Sequence, residues 1–270
     1  MFMKKLARTL ALISFAAVTA AASHAATVVR VGVQADNPGT TYLDESGKIT
    51  GYEVEVLNEV FKRLPGYQLD YKTMDFATLF VSLSTNKVDL ITSNIKATAE
   101  REKQFLFTKE DFYRTPYKLV VSQADGKTRS FADLQGKKIA VLGTGIQAKV
   151  LNDYIAAKKL NIEVLPSKSN TEMVSLLTSG RVEGLFLPEH QAIVFNKFRG
   201  TSLRLVGNGL IPAGKTPEDF GAHFLVQKGN PELRDKVDVA LRELRKDGTL
   251  KRLSIKWFDR DLTENYPLEQ

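Results

Sequence analysis

Short apolar, β-branched runs alternate with amphipathic segments along this chain, and that alternation constrains the fold more than any other feature. Residues 28–33, 69–73 and 88–91 have the composition of buried strands. Between them, residues 53–64 and 76–83 carry apolar side chains at spacings of three and four, which predicts helices. Strands connected by helices pair in parallel, so the sequence predicts a βαβαβ unit here.

A second cycle of the same kind follows. Residues 117–121, 139–142, 162–165 and 182–187 are predicted strands, with amphipathic segments between the last three. The chain then returns with a strand over residues 222–226 and a helix that Asn230 caps and Pro231 begins, and a short final helix ends at Trp257 and Phe258. The pattern predicts two lobes, one of them built jointly by the two ends of the chain.

The N-terminus has the organisation of a secretory signal peptide. Lys4, Lys5 and Arg8 precede an apolar, alanine-rich stretch, and residues 23–25 provide the small residues that a signal peptidase recognises. This stretch is too short and too rich in alanine to favour a transmembrane helix. We expect cleavage near Ala26 and a mature protein in the periplasm; the alternative is a buried N-terminal helix.

Composition excludes several classes of function. The formal net charge is +7, and without the three basic residues of the leader it is +4, spread along the chain rather than clustered, which does not favour nucleic-acid binding. The chain has no cysteine, which excludes disulfides, thiolate catalysis and a lipid-modified cysteine anchor. Two histidines beyond the leader, His190 and His223, leave little scope for a metal site, and both are predicted to be structural.

Polar residues follow the predicted strand over residues 88–91. Ser93, Asn94 and Lys96 come directly after it, and Arg101 follows a short turn later. Ligands of open α/β sheets gather at the carboxyl ends of strands, and a guanidinium can hold a carboxylate with two parallel hydrogen bonds. The pattern alone leaves open a surface pairing of Arg101 with Glu100.

Other candidates are individually weaker. The turn containing Thr144 and Gly145 could hold an anion with its amides, or could be a tight turn only; it lacks the pattern of a nucleotide site. Phe76 could be core or ligand platform. Glu189 follows a strand and could face an ammonium group, or could simply complement a helix dipole.

Taken in order, several short stretches resemble the periplasmic solute-binding proteins of amino-acid ABC transporters, over nearly the whole mature chain. The matching stretches are YLD at 42–44, GKITGYEV at 47–54, KVDLI at 87–91, TAER at 98–101, DLQGKK at 133–138, SGRVE at 179–183, DGTL at 247–250 and KWF at 256–258.

The resemblance implies an α/β, two-lobed periplasmic-binding-protein fold of type II. Each lobe is expected to be a mostly parallel sheet flanked by helices, with two strands crossing between the lobes. The implied organisation is a signal peptide at 1–25, lobe 1 at 26–114 and 219–270, and lobe 2 at 115–218. The family also implies a monomer that closes around its ligand, without a cofactor or metal.

The resemblance also assigns roles to residues. It implies that Arg101 binds the ligand α-carboxylate, that Phe76 lines the side-chain pocket, and that the loop with Thr144, Gly145 and Ile146 meets the carboxylate from the other lobe. Ser93 and Asn94 are expected to share that carboxylate.

Four positions depart from the family pattern. Pro188 stands where the family has an aspartate for the α-amino group, and Glu189 is the candidate substitute. Lys96 replaces a small hydroxyl residue, Asn37 an aromatic residue and Ile146 a second threonine. The added lysine could favour a ligand with more than one acid group.

The runs at 62–67, 72–76 and 101–107 look like those of the branch that binds cystine and related sulfur amino acids. The predicted function is therefore a non-enzymatic protein that captures an amino acid and delivers it to a membrane ABC transporter permease. The alternative is a cyclohexadienyl dehydratase on the same fold, with Glu189 as general acid. A receptor module or lytic transglycosylase is a third reading, favoured least.

Overall fold

The computed structural model describes residues 26–143 and 146–269; the predicted signal peptide, Thr144 and Gly145 lie outside them. The strands are β1 (Thr27–Val33), β2 (Asp36–Asn37), β3 (Thr41–Leu43), β4 (Ile49–Thr50), β5 (Tyr67–Thr73), β6 (Leu90–Thr92), β7 (Phe105–Phe107), β8 (Tyr113–Arg114), β9 (Tyr117–Ser122), β10 (Lys138–Leu142), β11 (Glu163–Ser167), β12 (Gly184–Pro188), β13 (Leu203–Leu210), β14 (Gly221–Ala222) and β15 (Leu225–Gln227). The α-helices are α1 (Tyr52–Lys62), α2 (Phe76–Ser84), α3 (Ala99–Gln104), α4 (Ile146–Ala157), α5 (Asn170–Thr178), α6 (Glu189–Arg199), α7 (Pro231–Lys246) and α8 (Thr249–Phe258).

The first lobe is built on a five-stranded sheet in the order β5-β1-β6-β15-β7. Strand β1 pairs in parallel with β5 and β6, whereas β15, which arrives from the C-terminal part of the chain, is antiparallel to β6 and β7. Helices α1, α7 and α8 pack together over this sheet around Leu57, Leu241 and Trp257. Both ends of the chain therefore build this lobe.

The second lobe has a sheet in the order β11-β10-β12-β9-β13. Strand β10 is parallel to β11 and β12, and β9 is antiparallel to β12 and β13. Half of the strand pairings in each sheet are thus antiparallel, more than the predicted mostly parallel sheets suggest. The reason is that helical crossovers give parallel pairs, whereas segments that cross from the other lobe enter in the opposite direction.

Two short strands connect the lobes. β8 and β14 pair with each other, with Tyr113 opposite Ala222 and Arg114 opposite Gly221. The single strand predicted over residues 222–226 is consequently divided, since Ala222 belongs to this crossing pair and Leu225 begins β15 in the first sheet. Two crossing strands match the expected connection between the lobes.

The C-terminal tail contacts the second lobe. The amide of Gly209 donates to Pro267 O (2.9 Å), and the amide of Glu269 donates to Gly209 O (2.9 Å). The predicted boundaries place residues 219–270 in lobe 1, so the tail forms a third connection that they do not include. Elsewhere these boundaries stay a prediction.

Local signals position the helices as expected. The Asn230 side chain accepts from Leu233 N and Pro231 is the first residue of α7. Helix α1 begins after Gly51, whose positive φ of 121° and close approach to Thr40 O leave no space for a Cβ. In the described residues, no helix is long and apolar enough to cross a membrane.

Candidate functional site

A cleft of about 160 Å³ lies between the lobes, at the ends of strands from both sheets. A second cavity of about 280 Å³ shares three lining residues with it, Asn37, Asn170 and Gln191. The first lobe lines the smaller cleft with Gln34, Asn37, Thr40, Phe76, Ser93 and Asn94, and the second lobe with Gln147, Asn170, Pro188, His190 and Gln191. Four predicted site residues of lobe 1 therefore lie together on this wall: Asn37, Phe76, Ser93 and Asn94.

A buried carboxylate, that of Glu53, holds the loop after β6 through hydrogen bonds. Glu53 on α1 is fully buried and accepts from Asn94 N (2.9 Å), from Tyr113 OH (2.9 Å) and from the hydroxyl of Thr92. Burial raises the pKa of Glu53, while these donors oppose the rise. Glu53 thereby fixes the backbone of the loop that carries Ser93 into the cleft.

Asn94 occupies the left-handed region with φ of 50°, a conformation that asparagine tolerates better than most residues. Its amide N–H is turned to Glu53, and its side-chain Oδ1 is buried without a hydrogen-bond partner among the described residues. A buried acceptor that is unpaired in the protein is available to a donor on a ligand.

Arg101 does not line the cleft itself, but its guanidinium lies next to Phe76, which does, and most of its donors are uncommitted among the described residues. It follows the N-cap Thr98 on α3, and its Nη1 donates to Lys96 O (3.1 Å). Within the described part of the chain the guanidinium makes no ion pair with a carboxylate, so the surface pairing with Glu100 that the sequence left open is not formed. Burial lowers the pKa of Arg101, which remains a cation because an arginine titrates far above neutral pH.

Phe76 connects Arg101 to the cleft. The guanidinium carbon lies 5.8 Å from the centre of the Phe76 ring and 4.6 Å from that of Phe80. The Phe76 side chain is 37% exposed although it begins a helix whose other apolar residues include the buried Leu79 and Leu83. An exposed ring on the cleft wall fits a ligand platform better than a core position.

Lys96 is held among aromatic rings near the crossing strands. Its Nζ lies 5.1 Å from the ring centre of Phe220, 5.6 Å from that of Tyr113, and 3.4 Å from Thr115 Oγ1. Burial lowers the pKa of Lys96 to about 7, and the charges of Asp111 and Glu53 only partly oppose this. Lys96 does not line the cleft in this structure.

Lys96 makes stability depend on pH. Its folded pKa of about 7 lies below the ordinary 10.5, so between these values the unfolded chain binds an extra proton, and stability falls as pH drops towards 7. We expect Lys96→Met to raise the free energy of unfolding at pH 6 by about 1 kcal/mol, with a smaller gain at pH 9. Urea titration of both proteins at the two pH values measures this, and an equal gain at both would contradict the assignment.

The second lobe presents neutral groups to the cleft. His190 is fully buried and burial lowers its pKa to about 3, so its imidazole is neutral. Its Nε2 accepts from the side-chain amide of Gln191 (3.1 Å), which leaves the proton on Nδ1, and Nδ1 has no partner among the described residues. Asn170, the first residue of α5, has a buried Oδ1 without a partner in residues 26–143 and 146–269. The prediction that His190 is purely structural thus misses its place on the cleft wall.

Glu189, predicted as a candidate for the ligand amino group, is engaged elsewhere. It is 3% exposed, its carboxylate Oε1 accepts from Arg260 Nη1, and its amide donates to Pro116 O (2.9 Å). Pro188 and His190 line the cleft but Glu189 between them does not. The helical turn that begins at this residue directs the carboxylate to the C-terminal segment, where Arg260 neutralises it.

The remaining candidates have different outcomes. Asn37 lines both cavities, and its carbonyl accepts from Thr40 N (3.1 Å). Ile146 begins α4, is 40% exposed and lines neither cavity, whereas the next residue, Gln147, is buried on the cleft wall. The predicted roles of Thr144 and Gly145 lie outside the described residues.

Several cleft residues were not predicted from the sequence. Gln34 directly follows β1, Asn170 comes shortly after β11, and Gln191 comes shortly after β12. The strand-end rule that selected Ser93 would have found all three if it had been applied to every parallel strand. No group of histidine and acidic residues suited to a metal ion occurs among residues 26–143 and 146–269.

Comparison with known proteins agrees with this geometry. The chain belongs to the bacterial extracellular solute-binding proteins of family 3, whose family model matches residues 29–260. It is 34% identical to the L-cystine-binding protein TcyK of Bacillus subtilis over 253 residues, covering 93% of this chain and 90% of that one.

Solved structures show the same fold. The probable amino-acid ABC transporter extracellular-binding protein ytmK of Bacillus subtilis superposes with a TM-score of 0.77 at 33% identity, over 86% of this chain and 97% of that one. The unliganded, open L-cystine solute receptor of Neisseria gonorrhoeae gives a TM-score of 0.71 at 26% identity, over 90% and 97%. The predicted family and two-lobed fold class are confirmed, and so is the prediction of a solute-binding protein rather than an enzyme.

Proposed function

We propose that this protein captures L-cystine or a closely related amino acid in the periplasm and delivers it to a membrane ABC transporter permease. The observation that carries the proposal is the cleft lined by both lobes beside the Arg101 guanidinium, which has no carboxylate partner in the described chain. The names of the cystine-binding relatives support cystine as the ligand. The leader over residues 1–25 and the absence of cysteine support a cleaved, lipid-free periplasmic protein. It acts as a monomer.

The arrangement suits a zwitterion's acid end. Arg101 presents a planar set of donors next to Phe76, and Ser93 and Asn94 lie on the same wall of the cleft. Closure of the lobes around a ligand would surround it with groups that neither lobe provides alone, and this selects the closed state.

The first test is a thermal-shift screen of the mature protein against the protein amino acids and L-cystine. A ligand at 100 times its Kd adds about 2.7 kcal/mol of stability, which for a domain of this size raises Tm by about 5–10 °C. We expect L-cystine to give the largest shift. A flat response across the panel would contradict the proposed function, and the Arg101→Ala protein is the control for binding in the cleft.

A further inference from the structure

The cleft contains no carboxylate to receive an ammonium group. None of its lining residues is an aspartate or a glutamate. Two glutamates contact residues of the cleft wall or neighbour them in sequence, and both already have partners in the protein. Glu53 accepts hydrogen bonds from Thr92, Asn94 and Tyr113, and Glu189 forms an ion pair with Arg260. At the end of β12 the cleft wall is Pro188, which offers neither charge nor an N–H.

Neutral acceptors occupy the cleft instead. Two buried acceptor atoms of its lining residues, Asn94 Oδ1 and Asn170 Oδ1, have no hydrogen-bond partner in the described part of the chain. These atoms come from both lobes and accept an N–H equally well from an amine or from an amide.

The balance of charge also disfavours a buried ammonium. Arg101 and Lys96 are the basic groups near the first-lobe wall, and the adjoining cavity adds Lys168 and Arg199 against one carboxylate, Asp36. An ammonium taken from water without a carboxylate partner keeps a large desolvation cost, whereas an amide N–H needs one neutral acceptor.

Space is available for an acyl group. The adjoining cavity of about 280 Å³ shares Asn37, Asn170 and Gln191 with the cleft, and its walls include Leu142, Val194 and Phe195. A substituent on the ligand nitrogen can extend past the orphaned Asn170 Oδ1 into that cavity.

We propose that the cleft recognises the ligand nitrogen through neutral acceptors, so that it binds N-acylated amino acids and does not require a free α-ammonium group. This inference rests on the proposed function, since it names the substrate class of the same cleft. The ligand's carboxylate, held beside Arg101, then provides the dominant charge contact.

Calorimetry of the mature protein with three compounds tests this: L-cystine, N,N′-diacetyl-L-cystine and L-cystine dimethyl ester. We expect acetylation to change Kd by less than about tenfold, and esterification, which removes the carboxylates but keeps the ammonium groups, to weaken binding by more than about 100-fold. A loss of tenfold or more on acetylation overturns the inference.

The outcomes separate this inference from the proposed function. Binding of cystine with loss of the acetylated compound overturns the inference alone. Binding of the acetylated compound without cystine supports it and contradicts cystine as the ligand. Failure of both compounds to bind contradicts both proposals.

An isosteric variant provides a second readout. Asn170→Asp replaces the orphaned amide by a carboxylate at the first turn of α5, where an acid is tolerated. We expect it to increase the preference for free over acetylated cystine by about tenfold or more, because an ammonium would gain a charged partner. Asn152→Asp, at an exposed position on α4, adds the same charge away from the cleft and should leave the preference unchanged. An unchanged preference in Asn170→Asp would also overturn the inference.

Discussion

Replacing Arg101 by alanine is expected to weaken ligand binding by about 2 kcal/mol or more, which corresponds to about 30-fold in Kd. The guanidinium lies next to Phe76, which lines the cleft, and donates one hydrogen bond to Lys96 O. Its other donors are available to a carboxylate. Without it, the acid end of the ligand would be buried beside Phe76 with no charged partner. Calorimetry with L-cystine measures the loss.

The control is Lys103→Ala on the same helix. Lys103 is exposed and its substitution removes the same formal charge without touching the cleft. Affinity should be unchanged there, and the Tm of Lys103→Ala should be close to wild type because Lys103 is exposed. Equal affinity of Arg101→Ala and wild type would remove Arg101 from the site. Arg101→Lys should recover only part of the loss, since an ammonium cannot make the two parallel hydrogen bonds of a guanidinium.

Replacing Glu53 by alanine is expected to lower the free energy of unfolding by about 3 kcal/mol. The carboxylate accepts from three buried donors, Thr92 Oγ1, Asn94 N and Tyr113 OH, and each would be left unpaired at a cost of about 1 kcal/mol or more. Urea unfolding monitored by circular dichroism gives the value.

Glu55→Ala provides the matched control for Glu53. It removes a glutamate from the same helix, but one whose partner is the exposed Lys256 at 2.6 Å. Such a surface pair contributes about 0–1 kcal/mol. Similar losses in the two variants would show that the buried network is not what stabilises the loop. We also expect Glu53→Ala to weaken cystine binding, since the loop of Ser93 and Asn94 would lose its support.

The fold was largely predictable because it depends on periodicity and capping. Helix α1 was predicted over residues 53–64 and spans Tyr52–Lys62, and the Asn230–Pro231 signal marks the start of α7. The segment 222–226 could not be predicted as two strands, because the break depends on Ala222 pairing with Tyr113 across the lobes. The tail at Pro267–Glu269 carries no pattern that indicates its contact with Gly209.

Site residues that directly follow a strand could be predicted from the sequence. Site residues on a helix were harder to predict, because the orientation of the helix decides which side chains face the cleft. Ser93, Asn94 and Asn37 were expected at the cleft and line it, as does Phe76. Glu189 and His190 are neighbours at the start of one helix, yet only the histidine lines the cleft. Residues one position apart on a helix point about 100° apart, so which of them meets the ligand depends on how α6 is packed.

The sequence by itself determined the order of strands and helices and the two-lobed α/β architecture, because each depends on local composition and periodicity along the chain. Only the tertiary structure decided which charges are available to a ligand. Glu189 is neutralised by Arg260, 71 positions away in sequence, whereas Arg101 has no such partner among the described residues. The distinction depends on contacts between distant segments, and ionic pairing in space leaves no signature in local residue patterns.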